Sequence, residues 1–206
     1  MNKSWNLTNN QYHNYRRFVV DDSVKKFYQF LKSNNITKGK VLDLGCGNGK
    51  HTIYFDQQGF NSVGIDFARN AIKLCKDNAV KEKSSAKFKV MDVLDYKFKD
   101  KFDIILDCGC LHHIRKQYWR KYLSNLTRSI KKGGYFYLHG FSDKSYVFGN
   151  VKKNQPWRVR KGHYTTFFSN RDIKRWFGKD FTLIKAYDFP NSTSSYMLRA
   201  YWMRRK

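Results

Sequence analysis

The chain has 206 residues, 41% of them hydrophobic and 17% aromatic, which suits one domain with a sizeable core and excludes a disordered chain. Forty-one Lys and Arg against 16 Asp and Glu give a net charge of +25, which points either to a polyanion partner or to lysine-rich coding. No apolar run approaches the roughly 20 residues of a membrane span, no signal peptide is recognisable, and four cysteines do not make a disulfide framework at this size, so a soluble cytoplasmic protein is expected.

Residues 1–20 carry Trp5, Tyr12, Tyr15 and Phe18 among polar residues, more aromatic than a loose tail. A helix follows over 23–32, with Val24, Phe27, Tyr28 and Leu31 on one side and Asp22 placed to cap it. The run Val41-Leu42-Asp43-Leu44 reads as a strand, and Gly45-Cys46-Gly47-Asn48-Gly49 as a turn that lets a ligand approach bare backbone. A helix over 49–58 and a strand over 61–66 come next. That strand ends in Asp66, placed where a nucleotide-binding α/β fold puts a ribose-gripping carboxylate.

The alternation continues as helix 68–80, strand 86–91 ending at Asp92-Val93, strand 102–107 ending at Asp107, helix 115–131 and strand 134–140. Lys131-Lys132-Gly133-Gly134 is read as the end of that helix. Residues 142–168 break the rhythm with a stretch rich in Gly, cations and aromatics, expected to sit above the strand ends and help form a substrate pocket. Ser169 is placed to cap a helix over 170–177, and strands over 181–188 and 195–203 close the chain. Strands alternating with helices predict a Rossmann-like, doubly wound, seven-stranded and mostly parallel sheet with an antiparallel C-terminal hairpin, in a single domain over 1–206.

The glycine turn fits neither the dinucleotide fingerprint, whose third glycine would fall at 50, nor the phosphate-loop pattern, since His51 follows Gly49-Lys50. Asp43-Leu44-Gly45-Cys46-Gly47-Asn48-Gly49 instead resembles the first motif of class I S-adenosylmethionine-dependent methyltransferases, and the acids at 43, 66, 92 and 107 recur in that family's order. The resemblance implies S-adenosylmethionine as cofactor, S-adenosylhomocysteine as product, and a binding set of Asp43, Gly45, Cys46, Gly47, Asn48, Asp66, Phe67, Asp92, Val93, Asp107 and Cys108. It also implies that residues 1–35 form a lid and helix over the cofactor, with Tyr12 and Tyr15 as lid candidates.

No Pro-Pro-Tyr/Phe run follows the fourth strand, and no Pro-Cys pair either. Asp107-Cys108-Gly109-Cys110-Leu111-His112-His113 is similar instead to small-molecule methyltransferases, in particular the tellurite-resistance and thiopurine group. This implies transfer to an S, N or O atom of a small molecule. His113 and His112 are the candidate bases, because histidine titrates near neutrality, and His163 and Tyr164 are candidate substrate contacts. Cys108 and Cys110 beside two histidines match no common zinc spacing, so no metal is expected. Basic clusters at 115–121, 152–161 and 204–206 keep an RNA methyltransferase open as an alternative, and a non-catalytic cofactor-binding scaffold is a third.

Overall fold

The computed structural model describes residues 18–148, 157–160, 163–190 and 197–206. Helix α1 (Asp22–Ser33) buries Val24, Phe27, Tyr28 and Leu31, the i, i+3, i+4, i+7 stripe of an amphipathic helix. Its N-cap is Asp21 and not Asp22, and neither acid caps. Asp22 is the first helical residue and pairs with Lys25 at 3.3 Å, while Asp21 points to another helix.

Strands β1 (Lys40–Leu44), β2 (Asn61–Asp66), β3 (Lys87–Val90), β4 (Phe102–Cys108), β5 (Ile130–Phe141), β8 (Phe181–Pro190) and β9 (Met197–Arg205) form one sheet in the order β3-β2-β1-β4-β5-β9-β8. The first five are parallel, and β9 runs antiparallel to both β5 and β8. The order reverses between β1 and β4, and open α/β sheets bind ligands outside the carboxyl ends of the strands at such a point. Helices α2 (Lys50–Gln57), α3 (Arg69–Lys81), α4 (Trp119–Ser129) and α5 (Asn170–Phe177) complete the layers.

Alternation along the strands divides the core by face. Leu42, Leu44, Ile105, Phe136 and Leu138 pack with Trp119, Tyr122 and Leu126 of α4 and with Ile173 and Phe177 of α5. Val41, Ile104, Leu106, Tyr135 and Tyr137 pack on the other side with Val24, Phe27 and Leu31 of α1 and Phe55 of α2.

Three segments depart from the sequence expectation. The helix expected over 115–131 is a 3-10 turn at Lys116–Tyr118 followed by α4, and Ile130 already pairs with Phe102 in the sheet. Lys131-Lys132-Gly133-Gly134 is therefore an irregularity inside β5. Gly133 has φ +73°, and a Cβ on Gly134 would meet the Asp103 and Lys131 carbonyl oxygens at 2.9 Å. The stretch 142–168 also contains an unforeseen antiparallel hairpin, β6 (Trp157–Arg160) with β7 (His163–Thr166). Ser169, by contrast, starts α5 as expected, with a complete capping box through Asp172.

Candidate active site at the strand ends

The glycine turn after β1 is held on three sides. Gly45 and Cys46 donate their N–H groups to the Ile65 carbonyl at 2.8 and 3.0 Å, and Gly47 N–H donates to Asp66 Oδ2 at 3.1 Å. From behind, Cys75 Sγ of α3 donates to the Gly47 carbonyl at 3.1 Å and Asn78 Nδ2 to the Asn48 carbonyl at 2.9 Å. Gly45, Gly47 and Gly49 all have positive φ, at 69°, 58° and 82°. At Gly45 a side chain would also collide with Cys110, whose Cβ and Sγ lie 2.8 Å from the built Cβ.

The acids around this turn do different things. Asp43 is buried, accepts the Thr52 hydroxyl on Oδ2 at 2.7 Å, and has no hydrogen-bond partner on Oδ1 among the described residues. Burial raises its pKa, opposed by His51, the Thr52 hydrogen bond and Lys50. Asp66 takes the Ala68 N–H on its other oxygen at 2.9 Å, and its pKa too is raised by burial against those backbone bonds. Phe67 beside it is 38% exposed. Asp92 accepts the Leu94 N–H at 2.8 Å, with Val93 buried between them. A buried, unpaired carboxylate oxygen and a turn that tolerates no Cβ fit the ammonium and the close-lying chain of S-adenosylmethionine.

Asp107 departs from the expected cofactor set. It is fully buried on the α4 face and accepts the Cys110 and Leu111 N–H groups and the Tyr122 hydroxyl, the last at 2.7 Å. Burial lifts its pKa to about 6 against those hydrogen bonds. Its carboxylate is occupied in shaping the turn after β4, leaving backbone as its contribution to a ligand. Cys108 lies on the opposite face, against the α1 cluster, and burial pushes its thiol pKa well up.

The two histidines expected as bases face each other. His113 Nδ1 lies 2.9 Å from the Tyr164 carbonyl, which can only accept, so Nδ1 carries a proton. His113 Nε2 lies 2.8 Å from His112 Nε2, and a neutral His113 must accept there, which makes His112 the donor. His112 is buried, its pKa is driven well down by burial, and its Nδ1 has no partner among the described residues. That atom is sealed by Gly140, where a Cβ would lie 2.8 Å away. The pair thus pins β7 to the turn after β4, and its ring nitrogens are taken or enclosed.

Around the pinned hairpin, Tyr164 stacks on Trp157 at 5.9 Å and receives the Arg115 guanidinium over its ring at 5.8 Å. His163 pairs with Arg160 in the hairpin register, but its side chain lies outside the described residues, as do Tyr12 and Tyr15. Among the described residues no group of three or more His, Cys, Asp or Glu is placed to hold a metal ion.

Sequence reasoning missed a polar cluster on the α1 face. Asp21 reaches Lys50 Nζ at 2.9 Å and His51 Nε2 at 3.1 Å, joining the start of α1 to the start of α2. Burial would raise the Asp21 pKa, but His51, His139 and Lys50 outweigh it and hold the carboxyl far below its usual range. His139, near the end of β5, completes the cluster. The signal available was Lys50-His51 at the helix start and a histidine at a strand end.

The Methyltransferase domain family matches residues 41–134. An uncharacterized methyltransferase of Schizosaccharomyces pombe is 28% identical over 136 residues, covering 66% of this chain and 90% of that protein. The ubiquinone biosynthesis O-methyltransferase of Pelagibacter ubique is 28% identical over 137 residues, 66% of this chain and 56% of that protein. The Burkholderia thailandensis 1,6-didemethyltoxoflavin-N1-methyltransferase, solved with 1,6-didemethyltoxoflavin and S-adenosylhomocysteine, shares the fold at a TM-score of 0.76 and 20% identity, covering 96% of this chain and 84% of that one. With the glycine turn, the acids at the ends of β1 and β2 and the reversed C-terminal hairpin already in place, these matches identify residues 41–134 with a methyltransferase domain and give the chain the fold of S-adenosylmethionine-dependent methyltransferases.

Proposed function

We propose that this methyltransferase moves the methyl group to an S, N or O atom of a small molecule, by in-line displacement, in the cytoplasm. The cofactor supplies an electrophilic methyl group on a sulfonium. The protein's part is to hold donor and acceptor in line and to exclude water, and alignment of this kind is worth about 7–11 kcal/mol of barrier. Asp43, Asp66, Phe67 and the glycine turn would form the donor side, with Asp92 and Val93 toward the adenine of the cofactor.

The observation that carries the small-molecule reading is the β6–β7 hairpin, tied by Tyr164 to His113 beside the end of β4. A wall of Tyr164, Trp157 and Arg115 beside the strand ends supports a compact acceptor pocket over an open groove. His112 and His113 act in this reading as positioning residues. The charge of the last three residues is partly engaged inside the molecule: Arg205 bonds the Asp180 carbonyl, Lys206 the Gly178 carbonyl, and Arg204 lies over Tyr135. That weakens the case for RNA. The likeness to a ubiquinone biosynthesis O-methyltransferase and to a 1,6-didemethyltoxoflavin-N1-methyltransferase adds support.

A panel of thiols, thiopurines, quinolones and phenols with labelled cofactor, run beside tRNA and rRNA, tests this. Turnover on one of the small acceptors is expected. Turnover confined to RNA, with binding that falls steeply with salt, would overturn it, and saturable cofactor binding with no transfer at all would favour a scaffold.

A further inference from the structure

His139 is 5% exposed and sits on β5 directly opposite Cys108 of β4. Its Nδ1 lies 3.1 Å from the Tyr137 hydroxyl. Tyr137 donates its one proton to Ser23 Oγ at 2.8 Å, so it can only accept from the histidine. The Ser23–Tyr137 pair therefore fixes His139 with its proton on Nδ1 and a lone pair on Nε2. That Nε2 has no partner among the described residues and points to the end of β4, 3.9 Å from where a Cβ of Gly109 would stand.

The position matters as much as the tautomer. The donor side occupies the ends of β1 to β3, which leaves the ends of β4 and β5 for the acceptor. On Gly109 the two histidine sites part company: the enclosed His112 ring approaches from the α4 face, 3.3 Å from the same built Cβ, and His139 from the α1 face. The absence of a side chain at 109, with φ +94°, leaves the space beside His139 Nε2 free of one at the strand end.

We propose that His139 Nε2 is the proton acceptor for acceptor molecules that carry O–H or N–H at the nucleophilic atom. The acceptor's lone pair forms the new bond to the methyl carbon as the carbon–sulfur bond breaks toward sulfur. The acceptor's proton passes to Nε2, and the imidazolium then loses it to solvent. The cluster around the ring suits this task. Burial, His51 and Lys50 keep the imidazole neutral, with a pKa of about 4, and the Asp21 carboxylate opposes them and favours the imidazolium when it forms. Cys108 and the ring of Phe189, at 5.8 Å, complete its surroundings.

This inference rests on the small-molecule reading and is tested apart from it. His139→Asn keeps a polar group near Tyr137 and removes the one at Nε2, and His139→Gln keeps a polar group near Nε2 that cannot take a proton. Both are assayed in single turnover on a phenol and on the matching thiophenol, which ionises near neutrality unaided. The expected result is a loss of roughly 100-fold or more in rate on the phenol, a loss of less than threefold on the thiophenol, and cofactor affinity within twofold of wild type by calorimetry. The variant rate on the phenol rises about tenfold per pH unit, while the wild type stays level from pH 6 to 8. Equal losses on both acceptors, an unchanged rate on the phenol, or a lost cofactor affinity each overturn the assignment. If wild type methylates RNA and no small acceptor, the small-molecule reading fails; the variants are then assayed on that RNA, where an undiminished rate overturns the role of His139 as well.

Discussion

The Gly47 N–H and the Asp66 carboxylate meet at 3.1 Å, so the acid that ends β2 is bonded to the middle glycine of the turn that ends β1. One side chain thereby sets the shape of the turn and, in the proposed donor site, would also face the ligand. Asp66→Ala is expected to weaken cofactor binding by roughly 10- to 100-fold, about 1.4–2.8 kcal/mol. Isothermal calorimetry with S-adenosylhomocysteine reads this directly, and wild-type affinity in the variant would remove Asp66 from the donor site.

Gly45 carries both steric demands of the turn, a positive φ and contact with Cys110. Gly45→Ala should cost about 1–2 kcal/mol from the left-handed backbone alone, with the Cys110 clash added. Thermal melting should fall by roughly 2–8 °C. The paired change Gly45→Ala with Cys110→Ala should recover part of the loss, and no recovery would show that the contact is unimportant.

Asp107 and His139 titrate in opposite senses. The Asp107 pKa is raised on folding from 3.8 to about 6, so its share of stability is present at pH 4 and lost as pH rises through about 6. The His139 pKa is lowered on folding from 6.5 to about 4, so its share is present above pH 6.5 and lost as pH falls toward 4. Each is on the order of 3 kcal/mol, and in the wild type they largely offset each other. Denaturant unfolding at pH 4, 5, 6 and 7 should therefore show stability that, relative to wild type, climbs more steeply with pH in Asp107→Asn and less steeply in His139→Asn. Parallel curves for all three proteins would contradict the opposed shifts.

His113→Ala removes the bond to the Tyr164 carbonyl and frees the hairpin from the β4 turn. Proteolysis between residues 157 and 166 should quicken and KM for the acceptor should rise several-fold, with cofactor affinity unchanged. A collapse of turnover by roughly two orders of magnitude at unaltered KM would instead return His113 to the chemistry.

Ser169→Ala dismantles the capping box that opens α5. The expected cost is about 1 kcal/mol, a drop in melting temperature of roughly 2–4 °C, with activity per folded molecule retained.

The central sheet was legible because its strands are short apolar runs closed by an acid or a glycine, and β2 and α5 match to the residue. The capping serine settled α5, since Ser169 and Asp172 are local partners. β5 started earlier than expected because Lys131 to Gly134 look like a helix end and are an irregularity inside a strand. The hairpin went unseen because Trp157 and Val159 are both exposed, so no alternation with a buried face marks that strand. The glycine turn and the acid bonded to it were readable as a contiguous motif plus an acid at known spacing. Asp21, Cys75, Asn78 and His139 were not, because only the folded chain brings them to the turn or the strand ends. For the adjacent His112 and His113 the sequence suggested shared chemistry but not their contact with each other, or that of His113 with the Tyr164 carbonyl, which only the fold creates.

The back of the glycine turn has a further consequence. Its carbonyls are gripped by Cys75 and Asn78, halfway along a helix that no small acceptor need ever touch. In the proposed donor site this is an indirect dial on affinity: trimming either side chain would loosen the bend from the rear, altering how tightly the nucleoside would be gripped. Directed evolution for cofactor analogues could begin on α3, directly behind the turn.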